Sequence, residues 1–179
     1  MAATKSLLTV AEFAKIPDLP ESRYELRHGE LIRVPPPKPD HAHTARNVFL
    51  ALMRAIGGTF YVNKEFAFRP LPEHEVWIAD VAAIEASRWK AADRTDWLNG
   101  APTIVIEVLS PSNTAQEMID KEATCFEGGC LEFWLVDPRR QQVRTSRNNR
   151  IARIYSGDDM IQMDMFGGAS FSVTEVFAA

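Results

Sequence analysis

The sequence predicts a mixed α/β (α+β) fold in which helices flank a central mixed β-sheet. Three observations carry this expectation. Two runs of strand length, 77–84 and 103–109, are apolar on both rows apart from one acid each, as strands covered on two faces must be. Apolar residues recur at helical spacing over 48–56, and cap signals bound a second helix near 114–127. Glycine pairs at 57–58 and 128–129 stop both helices before the next strand.

The elements follow in order. Thr9 with Glu12 three residues later has capping-box spacing, so a short helix starts near Leu8 and runs to Ile16, where Pro17 and Pro20 end it. Tyr24–Leu26 and Glu30–Val34 flank Arg27-His28-Gly29 as a hairpin, and Pro35–Pro39 is a stiff connector. Asp40 is placed to cap a helix from His41 to about Ile56, whose stripe Val48, Phe49, Leu52, Met53 and Ile56 is core. A strand over 60–68 precedes the strand containing Asp80. Residues 86–102 are polar, anchored by Trp89 and Trp97. After the strand containing Glu107, Ser110-Pro111-Ser112 breaks the chain, and Asn113 or Thr114 caps a helix to about Glu127. Strand 131–136 and three short strands, 142–145, 151–155 and 160–163, form a C-terminal β-meander.

With 179 residues, 46% hydrophobic and 25% charged, the chain is expected to form one globular domain over 1–179. No stretch approaches the ~20 apolar residues of a membrane span, and the N-terminal apolar run is too short for a signal peptide. A cytoplasmic location is the expectation. Cys125 and Cys130 lack His or Cys neighbours at metal-ligand spacing and are expected to be reduced packing residues.

The net charge of −4 does not advertise a nucleic-acid binder, but its distribution is uneven. Residues 138–156 hold Arg139, Arg140, Arg144, Arg147, Arg150 and Arg153 and no acid. That ribbon is either a solvated face or a local phosphate-binding face, with Arg144 and Arg147 as candidate substrate contacts.

The chemistry lies in Asp80 and Glu107. A carboxylate inside an apolar strand is costly unless something charged binds it. A salt bridge is one answer. A hard divalent cation is the other, since Mg²⁺ takes oxygen ligands and commonly one or two protein carboxylates. Period two puts Ile78, Asp80, Ala82 and Ile84 on one face, and Val105, Glu107 and Leu109 on one face. If the strands pair near this register, the two acids approach each other and need a cation or a proton between them. On the following helix Glu117, Lys121 and Cys125 share a face. Lys121 either reaches the acids or pairs at the surface with Glu117, a contact worth about 0.2–0.5 kcal/mol.

Family resemblance sharpens this. Tyr24-Glu25-Leu26-Arg27-His28-Gly29-Glu30-Leu31, then Pro35-Pro36-Pro37 and His41, resembles the opening of the Uma2 family of restriction-endonuclease-like proteins. Ala79-Asp80-Val81-Ala82 resembles its "PDV" strand, and Ile106-Glu107-Val108-Leu109-Ser110-Pro111-Ser112 its "EVLSPS" signature. Lys121 and then Phe133-Trp134-Leu135-Val136-Asp137-Pro138 resemble its helix lysine and "YWLVDP" strand.

That family is similar in fold to PD-(D/E)XK nucleases. The resemblance therefore implies a restriction-endonuclease-like sheet, Mg²⁺ or Mn²⁺ as cofactor, and hydrolysis of DNA phosphodiesters. It implies Asp80, Glu107 and Lys121 as catalytic residues, and Asp80, Glu107, Val108 and Glu30 as metal ligands. His41, at a helix N-terminus where the dipole disfavours its protonation, is a candidate substrate contact or a packing residue. A homodimer is compatible. The lysine expected two residues after Glu107 is Leu109, so Lys121 must substitute, and Cys125 stands where an aromatic is usual. The alternative is a catalytically inactive nuclease fold that binds nucleic acid or a protein partner.

Overall fold

The structure, a computed structural model, describes residues 7–17 and 23–179. Helix α1 (Val10–Phe13) is held by the expected capping box: the Glu12 N–H donates to Thr9 Oγ1 at 3.2 Å, and the Thr9 N–H to Glu12 Oε2 at 2.8 Å. Strands β1 (Arg23–Arg27) and β2 (Glu30–Val34) form the hairpin in the register Arg27↔Glu30. Its turn needs His28 and Gly29 at φ 50° and 72°. A Cβ on Gly29 would also stand 2.6 Å from that of Leu7, so glycine is required there twice over.

Helix α2 (Pro39–Ile56) begins before the position expected from Asp40. Lys38 is its N-cap and makes no side-chain cap bond. Pro39 instead presets the helical φ, leaving Asp40 as a first-turn acid. Strands β3 (Phe60–Arg69) and β4 (Trp77–Glu85), helix α3 (Ala86–Ala91), strands β5 (Leu98–Asn99) and β6 (Ile104–Val108), helix α4 (Ala115–Glu127) and strand β7 (Glu132–Asp137) follow. Thr114 Oγ1 caps α4 by accepting from the Glu117 N–H. Then come β8 (Gln142–Arg147), β9 (Ala152–Ser156), β10 (Met160–Met163), β11 (Ala169–Ser172) and α5 (Val173–Val176).

Seven strands form a mixed sheet in the order β5-β3-β4-β6-β7-β8-β9. β6 and β7 are parallel, joined across the face by α4, while β4 meets β6 antiparallel. β6 is buried at all five positions because the sheet is covered on both sides. On the α2 side Val48, Leu52 and Ile56 pack with Val81, Ile104, Ile106 and Trp134. On the other side Cys125 of α4 joins Phe66, Phe68, Ala82, Ile84, Val105 and Phe133. Both cysteines are free and buried, and burial pushes the Cys130 thiol up to about 12.

The expected C-terminal meander holds only in part. β8 and β9 extend the sheet, but β10 pairs with β11 as a separate ribbon. Its inward row, Ile161, Met163 and Phe171, buries against the α2-side core. Among the described residues, no helix is long and apolar enough to cross a membrane.

Candidate active site

β4 and β6 pair as Val81↔Ile106, Ala82↔Val105 and Ala83↔Ile104, so one further step sets Asp80 opposite Glu107. The two acids are near enough that, besides burial, the charge of Asp80 raises the Glu107 pKa. The strand around Asp80 is irregular. Trp77 and Ala79 join the same core as Ala82 and Ile84, so the side-chain alternation changes phase at Asp80. This corrects the expectation of Ile78 on the face of Ala82 and Ile84. Opposite, Glu65 of β3 takes a left-handed φ of 51°, between the paired positions Lys64↔Val81 and Phe66↔Ala79. Such a conformation costs on the order of 1–2 kcal/mol for an L-residue. Here it coincides with the point where β4 presents its acid.

Asp80 lies inside β4, where the β4–β6 ladder ends. Its Oδ2 accepts from the Val108 N–H at 2.7 Å and lies 3.1 Å from His41 Nε2. The hydrogen bond to Asp80 raises the His41 pKa against the effect of burial. The helix dipole had suggested the opposite shift. His41 comes from the first turn of α2, and its Nδ1 is buried without a hydrogen-bond partner.

Lys121 is buried, not a surface lysine. Its Nζ stands 2.9 Å from Glu107 Oε1 and 3.7 Å from Glu25 Oε1, and donates to the Ile78 carbonyl at 3.3 Å. Glu117 pairs with Arg27 of the hairpin instead. Arg27 also donates to Glu25 Oε2 at 2.6 Å, and Glu25 Oε1 accepts from the Ile78 N–H at 2.8 Å. The result is an alternating chain of charges, Glu117–Arg27–Glu25–Lys121–Glu107, with Asp80 and His41 beyond it.

Burial pushes Glu107 up to about 8; Asp80 and Glu25 add to the rise and Lys121 opposes it. Burial alone would lower the Lys121 ammonium, but Glu107 and Glu25 outweigh that and raise its pKa. Four carboxylates here face only two permanent cations, Arg27 and Lys121. Burial answers that excess at Glu107, whose carboxyl is pushed up to about 8.

The donor set suits a hard divalent ion. Glu107 Oε1 is buried and, although Lys121 Nζ is near, lacks an aligned hydrogen-bond donor. Among the described residues, no three His, Cys, Asp or Glu side chains converge as a metal-binding group. Mg²⁺ does not require three, because it keeps several waters beside one or two carboxylates. Val108 has its N–H committed to Asp80 and only its carbonyl oxygen to contribute.

Other anticipated residues lie elsewhere. Glu30 is exposed at the start of β2, and the buried hairpin acid is Glu25. Alternation along β1 carries no signal for this, because the adjacent Glu25 and Leu26 are both buried, and nothing local says that Lys121 faces Glu25. Arg144 and Arg147 stand on β8, separated from β6 by β7, and both are paired with acids. Arg144 bridges Glu122 of α4, and Arg147 Nε lies 2.7 Å from buried Glu132. Arg140 meets Asp137 at 3.0 Å and Arg153 meets Asp164 at 3.4 Å. An acid-free segment thus draws its counterions from elsewhere in the chain, which a count along residues 138–156 could not register.

Comparison with known proteins agrees with this architecture. A family model described as "Uma2: Putative restriction endonuclease" matches residues 10–174. Among curated proteins none matches the chain. A crystal structure from Anabaena variabilis, described as a "putative nuclease belonging to DUF820", superposes with a TM-score of 0.81 over 96% of this chain and 98% of that one. At 20% identity that likeness speaks for the fold. With the family model spanning nearly the whole chain, the protein belongs to the Uma2 family.

Proposed function

We propose that the protein is a divalent-metal-dependent endonuclease that hydrolyses phosphodiester bonds of DNA. The observation that carries this reading is the apposition of Asp80 and Glu107 across β4 and β6, with Lys121 Nζ 2.9 Å from Glu107. Asp80, Glu107 and the Val108 carbonyl would hold Mg²⁺ or Mn²⁺. Bound there, such an ion supplies acidified water and neutralises charge on the phosphate.

The chain's own residues do the rest. The Val108 N–H and His41 Nε2 both meet Asp80 Oδ2 and fix the carboxylate, leaving its Oδ1 to face an ion. Lys121 remains protonated, so it acts as a cation that orients water or stabilises negative charge on the reacting phosphate, not as a base. Glu25 and the Ile78 carbonyl fix the position of Lys121, and Arg27 fixes Glu25. Lys121 thereby stands in for the lysine that Leu109 replaces on β6.

Cleavage of plasmid and linear DNA in Mg²⁺ or Mn²⁺ tests the proposal. Asp80→Asn and Glu107→Gln should each lower the rate by about 100-fold or more while circular dichroism stays unchanged, in line with the loss of groups acting on the transition state. Cleavage retained by both variants overturns it.

The buried ion pairs of Lys121 favour a second reading, a nuclease fold that binds DNA without cutting it. In that case Mn²⁺ binds, DNA binds, and no product forms with any divalent metal.

A further inference from the structure

Beyond α4 the sheet continues as a ledge. On the side facing α4, β8 and β9 present Arg144 opposite Ile154 and Ser146 opposite Ala152. The outer face of α4 stands beside this ledge as a ridge carrying Ile119, Ala123 and Phe126, and a groove of about 610 Å³ lies between them. Ala152 and Ile154 of the ledge are exposed, and β9 ends the sheet. Ile119, Ile151 and Ile154 are 56%, 47% and 64% exposed, an apolar patch of the kind that marks an interaction surface. Ser146 Oγ, in the wall of the groove, is buried with no hydrogen-bond partner, and so is Arg144 Nε.

A phosphate backbone fits this surface poorly. The arginines at the groove, Arg144 and Arg147, already bridge Glu122 and Glu132, and exposed isoleucines lie between α4 and β9. A protein surface fits better. We propose that a second copy of this chain occupies the groove in a two-fold dimer, each α4 ridge lying on the other copy's β8–β9 ledge.

A ridge beside a ledge is self-complementary under a two-fold axis, where both copies use the same patch. The charges agree with that packing. The ridge exposes Asp120 and Glu127, whereas the turn between β8 and β9 exposes Arg150. The dimer thus accounts for the exposed isoleucines and for the opposite charges of Glu127 and Arg150 together, without reference to metal or DNA.

Sedimentation equilibrium of the full chain, in the absence of metal and DNA, tests this. The wild type should dimerise, and Ile154→Glu should give a folded monomer with an unchanged far-ultraviolet spectrum. Two surface variants, Glu127→Arg and Arg150→Glu, guard against misfolding of the first, and each should weaken the dimer by about tenfold through charge repulsion. A wild type that stays monomeric up to its solubility limit overturns the proposal. So does a dimer that Ile154→Glu leaves intact, or an Ile154→Glu effect confined to DNA binding.

Discussion

Lys121 of α4 meets Glu107 of β6 at 2.9 Å, inside the protein, while the position two residues after Glu107 is held by Leu109. The cation of the candidate site therefore comes from a helix and not from the strand that bears the acid. Its placement depends on how α4 packs against β6 and β7, and on the hairpin that brings Glu25 to its other side. The pair couples stability to the site in a way that can be measured.

Lys121→Met should be strongly destabilising, because it leaves Glu107 and Glu25 buried without their shared cation. Breaking a buried pair from one side costs about 3–5 kcal/mol. Adding Glu107→Gln should recover part of that loss, since the stranded charge is then gone. Urea unfolding of the three variants checks both statements; a double variant no more stable than Lys121→Met would exclude coupling between the two.

The contact between His41 and Asp80 predicts a pH signature. Asp80 raises the His41 pKa above its ordinary 6.5 in the folded state. The stabilisation it provides is therefore complete below 6.5 and is lost as pH rises through the raised folded value. The stability difference between wild type and Asp80→Asn should shrink from pH 5.5 to pH 8.5, a window set by that direction of shift from 6.5. Imidazole titration by NMR should show the His41 pKa falling in Asp80→Asn.

Metal binding should release protons. Glu107, raised to about 8 by burial, must ionise to coordinate a cation, so Mn²⁺ affinity should rise with pH and level off above about 8. Calorimetry in buffers of different ionisation enthalpy measures the release directly. Glu107→Gln should abolish most of it, and an affinity independent of pH would rule out Glu107 as a ligand.

Arg147 is expected to behave as a structural cation. Its partner Glu132 is 1% exposed, and its other side-chain bond comes from Trp134 Nε1 at 2.9 Å. Arg147→Met should destabilise the fold by roughly 3 kcal/mol, following the cost of a stranded buried charge. Arg144→Gln should cost less, because Arg144 is more exposed. Neither should change the salt dependence of DNA affinity, which titration at several ionic strengths reports.

Much of this protein was legible in the amino-acid order alone. Caps at Thr9 and Thr114, the helical stripe of Val48, Leu52 and Ile56, and the doubly apolar row of β6 are local patterns, governed by backbone geometry and burial, and the structure reproduces them. The same patterns singled out Asp80 and Glu107 as acids in apolar strands. Only the tertiary structure decided their partners. The phase change at Asp80, the burial of Lys121, the part taken by Glu25 and Arg27, and the pairing of Arg144 and Arg147 with distant acids all arise from long-range contacts. Charge is the reason: Coulombic partners are chosen by distance in space, and a chain folded through a mixed sheet brings together acids and bases that no local spacing relates.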